Sequence, residues 1–227
     1  MTSRNFSRRW VAVAALVGLS GASQAALSVF TDQAAFLKAV TAPETLTFED
    51  LPVSGPGLPV SGPLFMTAGA YSDTASASGS AIDPTIPVNS FYSAGSASDL
   101  WLTTNASDSA ITFSGFSPNV RAVGGYFFAS DIEGNPVANH AISVLAVDGS
   151  GLSSLQRFSD TTPTSFLGFV STGPLISVTV SAEQLVVYTW PTVNNLILAT
   201  AVPEPETYAL LLAGLAVVGF VARRRRA

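Results

Sequence analysis

The chain has 227 residues, no cysteine and a formal net charge of −5. The lack of cysteine excludes a disulfide framework and a thiolate metal site. Between residues 26 and 202 only three cationic residues stand against thirteen acidic ones, a net charge of −10. Nucleic acid is therefore excluded as a partner, because phosphate binding needs clustered lysine and arginine.

The first 25 residues have the pattern of a secretory signal peptide. Arginines at positions 4, 8 and 9 precede an apolar stretch over residues 10–19, and small residues follow. This pattern predicts cleavage between Ala25 and Ala26, with a cut after Ala22 as the alternative. We therefore expect export, with residues 26–201 forming one domain outside the cytoplasm.

The exported part is predicted to be all-β with one short helix. The helix is expected over residues 32–40, with Thr31 as its N-cap. Short β-rich runs separated by turn residues predict strands, at residues 45–48, 110–113, 120–128, 141–147, 165–170, 176–180 and 193–200. Many short strands favour an antiparallel β-sandwich of the jelly-roll type.

Two further expectations concern the pattern within this domain. Residues 51–108 are rich in Ser, Ala, Gly and Pro, which predicts long loops with a few irregular strands around residues 90–92 and 100–102. Ile176, Val178 and Val180 alternate with hydroxyl residues, which predicts that all three face the core of the sandwich.

The last 26 residues combine three features in a fixed order. A proline- and glutamate-containing segment precedes an apolar run over residues 208–222, and an arginine block follows. As a helix the run would span roughly 22 Å, short of the ~30 Å hydrocarbon core. It can still insert because arginines snorkel and the bilayer thins, with the arginines on the cytoplasmic side. We therefore expect a single membrane-spanning helix here.

This tail resembles the PEP-CTERM sorting signal, and the resemblance covers residues 202–227. It is carried by the apolar run and by Pro203, Glu204, Pro205, Arg223, Arg224, Arg225 and Arg226. The resemblance implies that an exosortase, a membrane transpeptidase, recognises the tail and removes it during delivery to the cell surface. An ordinary C-terminal transmembrane anchor is the alternative.

The exported domain has a second, more diffuse resemblance. Residues 47–50, 123–128 and 190–196 resemble the extracellular domains that commonly carry this tail, and those domains are similar to the β-sandwiches of carbohydrate-binding modules. Such sandwiches often have an Asp-Asn pair in the last strand. Here Asn194 stands in the first position, which weakens a charge-dependent role there.

The residues offer little for catalysis. His140 is the only histidine, the Gly-x-Ser-x-Gly elbow is absent, and a zinc site of histidine and cysteine cannot form. Glycoside hydrolysis needs a pair of carboxylates, and thirteen acids make such a pair possible without indicating one. We therefore predict a protein without enzymatic activity, and a secreted carbohydrate-active hydrolase is the alternative.

Calcium is the metal that the composition favours. Glu49 and Asp50 could meet Asn194 and Asn195 if the first and last strands pair, and carboxylate and amide oxygens are ligands that calcium prefers. A second cluster consists of Asp131, Glu133 and Asn135 in a glycine-containing loop. The alternative for both clusters is solvated turn acids.

Aromatic side chains supply the binding hypothesis, because sugar rings stack on exposed Trp and Tyr. Trp101 and Tyr126 are predicted to bind ligand. Trp190, which precedes Pro191, is predicted to be a core residue at the start of a strand, and a platform for a sugar ring is the alternative. Together these patterns indicate an exported surface or matrix protein associated with exopolysaccharide or biofilm.

Overall fold

The computed structural model describes residues 26–49, 51, 59–79, 85, 87–96, 98–184 and 188–202, with tail residues 212–216, 218–219 and 222–224. Two antiparallel sheets and one short helix, α1, make up its regular structure before the tail. The strands are β1 Leu27–Phe30, β2 Val40–Leu46, β3 Val60–Ser61, β4 Leu64–Ala68, β5 Tyr71–Ser78, β6 Ser90–Ser96, β7 Asp99–Thr104, β8 Ala110–Ser114, β9 Ala122–Ser130, β10 Ile142–Asp148, β11 Ser153–Phe158, β12 Phe166–Ser171, β13 Leu175–Ala182 and β14 Trp190–Ala201; α1 is Gln33–Lys38.

The larger sheet has the strand order β1-β12-β9-β14-β7-β6-β3, and the smaller has β11-β10-β13-β8-β5-β4. Strand β14 organises the larger sheet. One of its edges pairs with β9, while the other pairs with β7 through Val193 and with β2 from Leu196 onward. A register shift between Asn194 and Ile197 marks this junction, where Asn195 has a φ of 49°. The predicted pairing of an early strand with the last one is confirmed.

The sheets pack face to face over one apolar core. Phe113, Val144 and Val178 of the smaller sheet and Phe127 and Leu196 of the larger sheet belong to a single buried cluster. This arrangement confirms the all-β prediction.

Helix α1 covers part of the outer face of the larger sheet. Its Phe36 is fully buried against Phe166 and Ile197. Glycines make this contact possible, because a Cβ on Gly168 would lie 2.4 Å from the Phe36 ring and a Cβ on Gly124 would lie 3.1 Å from it.

Most of the predicted strands are confirmed, with shifts of a few residues at their ends. The prediction for residues 45–48 is only partly right, since β2 ends at Leu46 and Phe48 lies beyond it with a φ of 65°, in the left-handed region. The helix is shorter than predicted and its N-cap is Asp32 rather than Thr31. The Asp32 carboxylate accepts a hydrogen bond from the Ala35 amide at 2.8 Å.

The prediction of long loops over residues 51–108 is wrong for the part of this segment that the structure describes. Its described residues contain five strands, β3 to β7, of which only β6 and β7 were expected. In β5 the buried positions include Ala75 and Ala77, so the alternation is present but its apolar members are small.

The prediction that Ile176 faces the core is also wrong. Its side chain is 51% exposed, while Val178 and Val180 are fully buried. A register shift opposite Val147 and Asp148 inserts one extra residue into β13, and this shift turns Ile176 outward.

Candidate functional site

The outer face of the larger sheet collects polar and aromatic side chains beside α1. Strand β9 sends Phe127 into the core between the sheets, while Tyr126 and Phe128 point to the opposite face. Both phenylalanines are nevertheless fully buried. Phe128 is buried because Trp101 of β7 covers it, with ring centroids 4.9 Å apart and the rings nearly perpendicular.

The two predicted ligand-binding aromatics, Trp101 and Tyr126, therefore lie on the same face, and both are half-buried. The hydroxyl of Tyr126 donates a hydrogen bond to Gln33 Oε1 of α1 at 2.8 Å, and its ring packs edge-on against Phe166. Trp101 Nε1 is buried and has no hydrogen-bond partner among the described residues. Tyr126 is thus held by the helix, and Trp101 supports Phe128.

Asn194 lies in register with Tyr126 on this face. It is 4% exposed, and its Nδ2 donates a hydrogen bond to Asp99 Oδ1 at 2.9 Å. Its Oδ1 has no partner within the described part of the chain. The amide therefore fixes the Asp99 carboxylate against the sheet.

Hydroxyl groups continue the face toward the start of β14. Thr192 Oγ1 lies 2.7 Å from Ser130 Oγ and 3.4 Å from Thr103 Oγ1. Thr103 in turn donates a hydrogen bond to the Pro191 carbonyl at 3.0 Å. All three hydroxyl-bearing side chains are buried, and of the three only Thr103 lines the groove that lies beside them.

This groove has a volume of about 660 Å³, and we call it the aromatic groove. Strands β6 and β7, the first residue of β14 and the loop after β9 line it, through Tyr92, Thr103, Asn105, Asp131, Glu133 and Trp190 among others. The indole nitrogen of Trp190 donates a long hydrogen bond of 3.4 Å to the Asn105 carbonyl. Trp190 does start a strand, as predicted, but it is half-buried and lines the groove instead of lying in the core.

The loop over residues 131–135 forms one wall of the groove and is rigidly built. Asp131 Oδ1 accepts a hydrogen bond from the Asn135 amide at 2.8 Å, and its Oδ2 accepts one from Asn135 Nδ2 at 3.2 Å. Gly134 has a φ of 82°, and a Cβ there would lie 2.6 Å from the Ala94 Cβ. The loop therefore packs directly on β6, while Glu133 stays exposed at the rim.

Two buried carboxylates lie away from this groove. Asp73 of β5 is 2% exposed, and neither of its oxygens has a partner among the described residues; burial raises its pKa to about 7. Burial alone would raise the pKa of Asp148 as well. Hydrogen bonds from Ser150, Ser171 and Leu152 outweigh that effect, so its pKa is lowered.

A second cavity of about 520 Å³ lies near the ends of β2 and β4. Its lining residues Leu51 and Val60 flank residues 52–58, which lie outside the described part of the chain. It is the weaker candidate for that reason.

The predicted calcium ligands are only partly brought together. Asn194 and Asn195 lie at the junction of β2, β7 and β9, Glu49 is exposed beyond the end of β2, and Asp50 is outside the described residues. Among the described residues there is no group of three or more acidic or histidine side chains that could hold a metal ion. Calcium binding stays a prediction.

His140 lies between β9 and β10, where its Nδ1 contacts the Ala138 carbonyl at 2.9 Å. The predicted signal cleavage involves Ala25, which is not described, and Ala26, the first residue that is. Of the predicted sorting residues, Arg223 and Arg224 are exposed in a helical piece, and Pro203, Glu204, Pro205, Arg225 and Arg226 lie outside the described residues. Within the described residues, no helix has the length and apolar character to cross a membrane.

The fold and its groove define an all-β sandwich protein with an aromatic site on one outer face. Residues 201–226 match the family model described as the PEP-CTERM protein-sorting motif. The resemblance stated from the sequence is thus confirmed for this segment, and the chain contains a PEP-CTERM protein-sorting motif at its C-terminal end. Neither the curated proteins nor the solved structures contain a match to it.

Proposed function

We propose that this protein is a surface or extracellular-matrix protein whose aromatic groove binds exopolysaccharide without cleaving it. The sorting motif supports delivery to the cell exterior. The observation that carries the binding proposal is that two aromatic side chains, Trp190 and Tyr92, line one open groove together with the hydroxyl residues Ser93, Thr103 and Thr104. Aromatic faces bind the apolar faces of sugar rings, and fixed polar groups orient the sugar hydroxyls.

The charge of the groove supports a neutral polysaccharide. Among the described residues, its lining contains two carboxylates, Asp131 and Glu133, and no lysine or arginine. The carboxylates of a polymer rich in uronic acids would be repelled by those of Asp131 and Glu133. The hydroxyl groups of a neutral polysaccharide can instead donate hydrogen bonds to these two side chains.

The arrangement of these carboxylates favours binding over hydrolysis. A glycosidase needs one carboxyl group as the acid and a second as nucleophile or base. Both Asp131 oxygens already accept hydrogen bonds from Asn135, and Glu133 is exposed to water. This supports a protein that retains a polymer without cutting it.

The two ends of the chain give the route by which the domain reaches the cell exterior. A signal peptide over residues 1–25 starts export, and the apolar run over residues 208–222 holds the precursor in the membrane until the exosortase acts. The sandwich then displays the groove in the way that a jelly-roll carbohydrate-binding module does.

A glycan array probed with the exported, processed protein tests this proposal. We expect retention on neutral polysaccharides and no release of reducing ends on prolonged incubation. Release of reducing ends would favour the hydrolase, and failure to bind any glycan would leave the groove without a carbohydrate role.

A further inference from the structure

Both ends of the described domain leave the sandwich at the same end of the larger sheet. At the C-terminal side, Ala201 pairs with Val40, and the amide of Val202 donates a hydrogen bond to the Ala39 carbonyl at 3.1 Å. At the N-terminal side, the Ala26 amide donates to Thr172 Oγ1, and the Thr172 amide donates to the Ala26 carbonyl.

The strand register gives the separation of these two exits. Leu27 pairs with Ser171, Val170 pairs with Ala122, and Ala122 pairs with Ala199. The exits are therefore three strand spacings apart, which is roughly 14 Å at about 4.8 Å per spacing. A signal peptide before Ala26 and the sorting tail after Val202 would both depart from this end.

The tail has almost no linker. The sorting motif begins at residue 201, which is the last residue of β14 and is still paired within the sheet. From Val202 only five residues, 203–207, precede the apolar run that starts at Tyr208. Five residues span at most about 18 Å, so the domain lies close to the membrane while the tail is inserted.

The surface chemistry at this end suits an anionic lipid surface. Two apolar side chains are partly exposed here, Leu37 at 39% and Val202 at 40%. Lys38, the last residue of α1, lies directly before Ala39, whose carbonyl accepts the hydrogen bond from the Val202 amide. The backbone of Arg121 bonds Ala199 and Ser171. Lys38 and Arg121 are two of the three cations between residues 26 and 202.

Several acidic side chains lie at the opposite end of the sandwich, away from the exits. Asp131, Glu133 and Glu183 lie in the segments that flank the start of β14, and Arg157, the third cation, is paired there with Glu183 at 2.6 Å. Near the exits, Asp148 is buried and fully bonded, and exposed Glu44 pairs with Leu198 further along β14. Apolar residues next to basic ones are typical of contact with anionic lipid headgroups.

We propose that the exit surface, formed by Ala26, Leu37, Lys38, Arg121 and Val202, rests on the anionic lipid headgroups while the precursor is anchored, with the aromatic groove pointing away from the membrane. Because only five residues separate the domain from the apolar run, and both exits lie at this end, the exit surface is the part of the domain that faces the membrane. The inference rests on the membrane-anchored sorting intermediate and not on carbohydrate binding.

Single-cysteine labelling tests this orientation, since the chain has no cysteine of its own. The variants are Thr41→Cys near the exit surface and Ser159→Cys in an exposed turn after β11. Each full-length variant is labelled with a fluorophore and reconstituted in phosphatidylcholine–phosphatidylglycerol vesicles with nitroxide-labelled headgroups. We expect at least threefold stronger quenching at position 41 than at position 159. Adding Lys38→Glu is expected to lower quenching at position 41 in these vesicles but not in pure phosphatidylcholine.

Equal quenching at both positions, or stronger quenching at position 159, would overturn the proposal, as would failure of the chain to float with the vesicles. Quenching at position 41 that arises only when the exosortase is also reconstituted would overturn it in favour of a protein contact. Glycan binding by the same labelled variants is measured separately, so failure of the orientation leaves the function of the groove an independent question.

Discussion

Trp190 and Ala201 are the first and last residues of the same strand, β14. At about 3.3 Å per residue they stand roughly 35 Å apart, one in the aromatic groove and the other at the start of the sorting motif. One strand therefore joins the candidate binding site to the sorting motif. The groove and the start of the sorting motif therefore lie at opposite ends of the larger sheet.

The wall of the groove depends on Gly134. Replacing it with alanine would place a Cβ 2.6 Å from Ala94 and would strain a φ of 82°. We expect Gly134→Ala to displace the loop and weaken glycan binding at least fivefold, with a loss of about 1 to 2 kcal/mol in the free energy of unfolding. Titration calorimetry and urea unfolding measure the two effects. Gly173→Ala is the control, because its Cβ would meet only Ser171 Oγ at 3.8 Å; equal effects of both changes would contradict the role of the loop.

The packing of α1 against the larger sheet depends on Gly168. A Cβ on this residue would lie 2.4 Å from the Phe36 ring, which is fully buried. We expect Gly168→Ala to cost about 2 kcal/mol and Phe36→Ala about 3 to 4 kcal/mol of unfolding free energy. In the double variant the clash disappears, so the combined loss should be smaller than the sum. Strict additivity in urea unfolding would contradict the packing described.

Asp148 organises the turn between β10 and β11. Its Oδ1 accepts hydrogen bonds from the Ser150 amide at 2.9 Å, the Ser150 hydroxyl at 2.6 Å and the Leu152 amide at 3.0 Å, and its Oδ2 accepts one from Ser171 at 2.9 Å. Asp148→Ala leaves these donors unpaired, and we expect a loss of about 3 kcal/mol. Glu49→Gln, at an exposed position, should change the free energy of unfolding by less than about 0.5 kcal/mol.

The lowered pKa of Asp148 also predicts a pH dependence. Its contribution to stability is present above the ordinary pKa of 3.8 and is lost as the pH falls through the lower pKa of the folded state. Thermal unfolding between pH 5 and pH 2 should therefore show a steeper loss for the wild type than for Asp148→Ala. Parallel curves would show that other carboxylates govern the acid transition.

The raised pKa of Asp73 predicts a pH dependence of stability opposite to that of Asp148. Below pH 3.8 the Asp73 carboxyl is protonated in both states, but between pH 3.8 and about 7 the unfolded chain loses this proton while the folded chain keeps it. The free energy of unfolding should thus fall as the pH rises through this window, by about 4 kcal/mol in total. Asp73→Asn removes the titration, so we expect the variant to be more stable than the wild type at pH 8 and similar to it at pH 4. Urea unfolding measures the free energies of both proteins at both pH values. If the difference between the variant and the wild type is the same at pH 4 and pH 8, a buried, unpaired Asp73 is contradicted.

The sequence was informative where strands are built from large apolar residues. Strands β9, β10 and β12 contain valine, leucine and phenylalanine in runs that turn residues interrupt, and they were predicted to within a few residues. Strand β5 was missed because its buried residues include Ala75 and Ala77, whose small side chains give little hydrophobic signal. Its alternation with serine and threonine was nevertheless present in the sequence.

The candidate site was harder to predict, because it depends on contacts between distant segments. Tyr92, Trp190 and Glu133 come from three separate parts of the chain, and only the pairing of β14 with β7 and β9 brings them together. Trp101 and Tyr126 were selected on exposure, yet Phe128 and Gln33 hold them against the sheet. The alternation of strand β14 contained a signal for Trp190. Successive side chains in a strand point to opposite faces, so Trp190, three residues before buried Val193, points away from the core.

Affinity electrophoresis through gels that contain the glycan identified on the array tests the central claim most directly. We expect Trp190→Ala and Tyr92→Ala each to weaken retention at least tenfold, since each removes one aromatic surface of the groove. Phe65→Ala, which removes an aromatic side chain that is 82% exposed on the other sheet, should leave retention unchanged. Retention that survives both groove substitutions, or that falls equally with Phe65→Ala, would contradict the aromatic groove as the polysaccharide-binding site.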